Sequence, residues 1–188
     1  IENIIINPVC IEKKRFHGSI LEGIYENIQY CFKNNIIFKD FIILSNKNIF
    51  YRELHPSDLD KLSALKENKN RINLKFTETG NQWWWPVFHK TLLSNYIREN
   101  NLLFSASAHE GLGFTYETLK SIYNFLYRNN EIRNDLFKKN ACVEEFALQT
   151  ICSGLGYDFF YIGNGTTYTK NLKKDKFVYK LNHNEVKS

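Results

Sequence analysis

Two acidic residues stand side by side in ACVEEFALQT, residues 141 to 150: Glu144 and Glu145. A carboxylate held at the end of a rigid element suits a reaction in which a hydroxyl proton must be removed in the transition state. Negative charge is also favoured at a helix start, where free N–H groups and the macrodipole are positive, so the pair has a purely structural reading as well. Three other groupings carry chemistry. His109-Glu110 is a polar pair followed by Gly111 and Gly113, which permit close backbone approach. Its bland alternative is a loop histidine with satisfied hydrogen bonds. Trp83, Trp84 and Trp85 precede Pro86, and consecutive positions cannot all face one core, so at least one ring is expected at a cleft or in solvent. Aromatic faces suit sugar rings and nucleobases alike; the opposing reading buries all three. Lys170, Lys173, Lys174 and Lys176 form a basic run that either meets an anionic ligand or makes a solvated edge.

Composition bounds the remaining possibilities. With 43% hydrophobic and 15% aromatic residues, a chain of 188 can bury a sizeable core as one domain. The net charge of +5 is spread along the chain without a basic stripe, which ranks nucleic-acid binding last. No apolar run reaches membrane-spanning length. Cys10, Cys31, Cys142 and Cys152 form no CxxC pair and no zinc-like cluster with histidine, so they read as buried thiols, with at most one disulfide. The chain opens on Ile and contains no Met, and it is expected to be a piece of a longer protein.

These residues must be positioned by alternating strands and helices. ENIIINPV reads as a buried strand ending at Pro8. In GSILEGIYENIQYCFKNN, Ile20, Leu21, Ile24, Tyr25, Ile28, Cys31 and Phe32 recur at helical spacing, and Ser19 with Glu22 forms a capping box. FKDFIILSN reads as a central strand. A capping box from Ser57 to Asp60 opens a short helix over 55–70, and RINLKFT alternates as a half-buried strand. Further helices are expected from Pro86 to Arg98, over TYETLKSIYNFLYRNN, and through the acid pair to Gly154 and Gly156. LLFSAS, DFFYIG and KFVYKL read as strands. The alternation predicts an α/β domain with a mixed sheet flanked by helices. Ligands in such sheets gather beyond the carboxyl ends of strands, which draws attention to two expected loops, SNKNIFYREL with Ser45 and Asn46, and SASAHEGLGF. Neither contains a dinucleotide fingerprint, a P-loop, a serine-hydrolase elbow or HExxH.

The order of segments resembles the core-2/I-branching β-1,6-N-acetylglucosaminyltransferase-like family. Its tryptophan-glycine-glycine turn and helix correspond to FHGSILEGIYENIQYC, and its Leu-Ser-Gly-Ser-Asp-Phe-Pro-like loop to DFIILSNKNIFYREL. Its Gly-Ser-aromatic segment and helix correspond to SAHEGLGFTYETLKSIYNFL, and its Pro-Asp-Glu-x-Phe-Phe-Gln-Thr-like motif to VEEFALQT. Glu145, Gln149 and Thr150 match that motif, while Val143 and Glu144 take the Pro and Asp positions.

The resemblance covers roughly residues 1 to 155 and implies a GT-A-like single domain. It places the nucleotide-binding first strand before Ile1 and the basic diphosphate-binding segment after Ser188. It implies an inverting, metal-independent glycosyltransferase, needing no cofactor, that moves a sugar from a nucleotide-sugar donor, a UDP-sugar favoured, to a glycan hydroxyl. Glu145 matches the family's base. Glu144, His109, Glu110, Trp83, Trp84, Trp85, Ser45 and Asn46 are the expected substrate contacts, and Lys170, Lys173 and Lys174 the nearest diphosphate contacts. The alternative is a carbohydrate-binding module that keeps the scaffold without the chemistry. Neither reading involves nucleic acid or a membrane segment in this chain.

Overall fold

Apolar residues at helical spacing build the first helix, α1, Ile20–Lys33, which buries Leu21, Ile24, Tyr25 and Ile28. The computed structural model describes residues 20–43, 48–50, 85–106, 112–157, 167–168 and 178–180. α1 closes on Asn35 in the left-handed region, with φ 53, while Ile36 N–H donates to the Cys31 carbonyl at 2.9 Å. That is a Schellman closure with asparagine in the position glycine usually takes.

The chain then forms β1, Asp40–Ile42, and later β2, Asn48–Phe50. A short helix α2, Trp85–Phe88, precedes α3, Leu92–Glu99. β3, Gly113–Thr115, runs straight into α4, Tyr116–Arg128, and α5 follows over Asn130–Lys138. A 3-10 turn, Val143–Glu145, leads to α6, Ala147–Gly154, and β4, Thr167–Tyr168, and β5, Val178–Lys180, come last.

β1 and β3 pair antiparallel, with Phe41 opposite Phe114. Around β5, β2 pairs antiparallel and β4 parallel, giving a mixed three-stranded sheet. The described residues are thus a mixed α/β arrangement in which helix predominates. α4 lies at its centre and packs on α1, α5, α6, β1 and β3. Its Leu119, Ile122 and Leu126 are fully buried, and burying each such side chain is worth about 1.5–3 kcal/mol, so the surrounding elements depend on it.

Several expectations change. The helix expected from Pro86 to Arg98 is broken at Thr91, whose hydroxyl donates to the Phe88 carbonyl at 2.7 Å and accepts from Ser94 N–H at 3.2 Å. A side chain that satisfies backbone groups in this way ends one helix and caps the next. Asn48–Phe50, inside an expected loop, is a strand, and so is Gly113–Thr115, which joins the end of the other expected loop to the first residue of the helix expected after it. Among the described residues of LLFSAS, 102–106, only Phe104 makes a strand-type bridge. Helix α5 was not expected from the sequence. KFVYKL contributes β5, whereas ENIIINPV, the capping residue Ser19, the helix over 55–70, RINLKFT and DFFYIG lie outside the described residues. Among the described residues no helix is long and apolar enough to cross a membrane.

Candidate functional site

The acid pair does not open the α-helix. It occupies the preceding 3-10 turn, held by Val143 N–H to Ala141 O at 2.8 Å and Glu145 N–H to Cys142 O at 3.2 Å. In a 3-10 turn residues i and i+3 eclipse. Val143 and Phe146 obey that rule, and both are wholly buried. Glu144 and Glu145 therefore project to two different flanks. One flank is closed, leaving Glu144 only 4% exposed, while Glu145 keeps a partly exposed side chain. The turn packs on α1 and α6, so Glu145 is presented from a firmly supported backbone.

Behind the turn stands an aromatic box. Phe146 lies 5.5 Å from Phe88 and 6.1 Å from Phe104, ring centre to ring centre, and Phe88 lies 4.3 Å from Phe104. Trp85 closes it edge-on against Phe104 at 5.0 Å and against His89 at 4.5 Å. Burial pushes the Cys142 thiol up to about 11, and the neighbouring Glu144 charge adds to the effect. Cys142 is thus a neutral thiol at ordinary pH rather than a nucleophile. Cys31, Cys142 and Cys152 are all free thiols; Cys142 and Cys152 are buried, as the sequence reading expects, whereas Cys31 is half-buried, and Cys10 lies outside the described residues.

Beside the turn, α5 is stapled to the α2–α3 junction. Asp135 accepts from Leu92 N–H at 2.8 Å and pairs with the Lys139 ammonium at 2.9 Å, and that ammonium donates to the Lys90 carbonyl at 2.7 Å. The staple borders a groove of about 240 Å³, lined by Pro86, Val87, Lys90, Lys139, Asn140 and Ala141. Its walls are chiefly apolar, and Lys90 and Lys139 are among the residues that line it. Because Ala141 accepts from Val143 N–H, one wall of the groove continues directly into the acid turn.

Of the residues singled out from sequence, the structure describes Glu144, Glu145 and Trp85. Trp85 is 7% exposed and takes the core alternative, because its ring is claimed by Phe88, His89 and Phe104. Glu144 is enclosed, so of the two acids only Glu145 keeps a surface toward solvent. Trp83, Trp84, His109, Glu110, Ser45, Asn46, Lys170, Lys173, Lys174 and Lys176 lie outside the described residues.

Two features escaped the sequence reading. Lys90 and Lys139 are basic groups near the acid turn, signalled only by a fold that joins distant segments. Asp58-Leu59-Asp60 has the Asp-x-Asp spacing with which some sugar-nucleotide enzymes hold a cation; it falls in the stretch read as a capped helix and outside the described residues. Among the described residues no group of three or more His, Cys, Asp or Glu gathers as a metal site. No protein-family model matches the chain, and neither a curated protein nor a solved structure matches it significantly.

Proposed function

We propose that this protein is an inverting glycosyltransferase with a GT-A-like fold, moving a sugar from a nucleotide-sugar donor to a glycan hydroxyl. The observation that carries the reading is the partly exposed Glu145 on a turn whose other members, Val143, Glu144 and Phe146, are buried. A partly exposed carboxylate on a turn packed against two helices is an arrangement that suits a general base. It also falls at the position of the base in the motif that VEEFALQT resembles.

In this reaction Glu145 takes the acceptor hydroxyl proton as that oxygen attacks the anomeric carbon, and the bond to the nucleoside diphosphate breaks on the opposite face. Lysines neutralise the departing diphosphate in place of a metal ion. Lys170, Lys173 and Lys174 are the nearest candidates for that role in this sequence, since the resemblance places the family's own basic segment after Ser188. The aromatic box holds Phe146, the residue after the base, and so anchors the turn that carries it.

Incubation of the purified protein with a panel of UDP-sugars and oligosaccharide acceptors, with and without EDTA, tests the proposal. Turnover that persists in excess chelator supports it. Turnover abolished by EDTA and restored by manganese assigns the chemistry to a metal-dependent enzyme and turns attention to Asp58 and Asp60. Sugar binding without turnover across the panel assigns the chain to the carbohydrate-binding alternative.

A further inference from the structure

We propose that Thr150 is a positioning residue that holds the acid turn in register with the segment leading to His109-Glu110. This role rests on the transferase reading. The Thr150 side chain is 0% exposed, and its hydroxyl makes two bonds to one residue of another segment. It accepts from Ser105 N–H at 3.1 Å and donates to the Ser105 carbonyl at 2.7 Å. A neighbouring strand would satisfy a residue's backbone in just this way, by one acceptor and one donor. Thr150 supplies both from a single oxygen, where residues 102–106 of the expected strand LLFSAS show a bridge at Phe104 alone.

The clamp has a second jaw. Phe104, directly before Ser105, packs its ring on Phe88 and Phe146. Phe146 is the residue after Glu145, and its carbonyl accepts from Thr150 N–H at 2.8 Å. Glu145 and Ser105 are therefore joined by a short, fully buried path of one ring contact and three hydrogen bonds. From Ser105 the chain reaches His109 within four residues, a span of at most about 14 Å. Thr150 therefore fixes Ser105, the far end of that path, against the turn that carries Glu145.

The geometry separates Thr150 from an ordinary core residue. A side chain that only fills space can be replaced by an isostere, whereas this one needs its oxygen. Thr150→Val keeps the shape and removes both bonds, leaving two buried backbone groups unsatisfied. Thr150→Ser keeps the oxygen and loses a methyl. Hydrogen exchange across residues 102–106 and steady-state kinetics on the wild type and both variants test the role. Thr150→Val is expected to lose protection over 102–106 and to raise the acceptor KM by about tenfold. Its kcat against pH should keep its shape, because Glu145 is untouched. Thr150→Ser should stay within about threefold of wild type in KM. If Thr150→Val does not fold, Thr150→Cys, with its weak S–H donor, provides the same comparison. Lost protection with an unchanged KM overturns the positioning role while leaving the transferase standing. A wild-type protein that turns over no nucleotide sugar overturns both.

Discussion

Two of the aromatic groups among the described residues are built differently. The box behind the acid turn is made of Phe88, Phe104 and Phe146, all essentially inaccessible, with rings crossing at 47° and 75°. On the flank formed by α1 and α4, Tyr25, Tyr123 and Tyr127 stack in a ladder with spacings of 5.4 and 6.0 Å and much flatter angles of 22° and 27°. That ladder climbs from a buried ring to one that is 61% exposed, and Arg133 lies 5.5 Å from the Tyr25 ring centre. Phenolic hydroxyls can leave the core for water and phenyl rings cannot. The box therefore offers a single arrangement of interlocked rings behind Glu145, whereas the ladder sheds its burial gradually toward the surface.

The comparison is broken most severely at Phe146. Phe146→Ala should cost about 3–5 kcal/mol in a denaturant titration, since it empties the box and loosens the acid turn together. A loss nearer that of an exposed residue would mean that the box does not hold the turn. Next comes the chemistry the box supports. Glu145→Gln should lower turnover by about 10²-fold with folding intact, whereas Glu144→Gln should act on stability, as its burial dictates. Equal kinetic losses from both would show that the enclosed acid takes part in the reaction.

A smaller effect tracks pH. Burial raises the Cys142 thiol from 9.0 to about 11, with the Glu144 charge as the second cause, so the folded protein holds this proton more tightly than the unfolded chain. The associated stability is complete below about pH 9 and is lost as pH rises toward 11. Thermal melts should show that alkaline decline in the wild type and a weaker one in Cys142→Val. Cys31, beside the ladder region, is raised by burial alone, and its replacement should change the profile less. Smaller again is Gly156→Ala, which places a side chain at φ 84 and should cost about 1 kcal/mol through the closure of α6. At the bottom of the scale, Tyr127→Ala should lie within about 0.5 kcal/mol of wild type; a larger loss would show that the ladder is as tightly built as the box.

Helices were the legible part of this sequence wherever one apolar stripe ran long enough. α1 and α4 follow their spacing almost residue for residue. α5 was missed because only Ile132 and Leu136 of its residues are buried, too few to announce a stripe among charged neighbours. β1, β2 and β3 are three-residue strands whose partners lie far along the chain, so Gly113-Phe114 looked like a loop, and Thr115 the start of a helix, until Asp40–Ile42 was laid beside them. At the site, a pair of adjacent acids was readable. Which one would be enclosed was not, because that depends on the 3-10 geometry aligning Val143 with Phe146. Trp85 shows the same limit: its rarity stands out in the sequence, while its direction is decided by Phe88 and Phe104.

Gly154 lies where α6 ends against the chain leaving α3. A β-carbon at that position would stand 3.1 Å from the Leu102 Cδ1 atom, so the two positions share one volume. They should therefore vary together as this protein diverges. A descendant with alanine at 154 is expected to carry valine or a smaller residue at 102, and a laboratory library randomised at both sites should recover those pairs more often than either change alone.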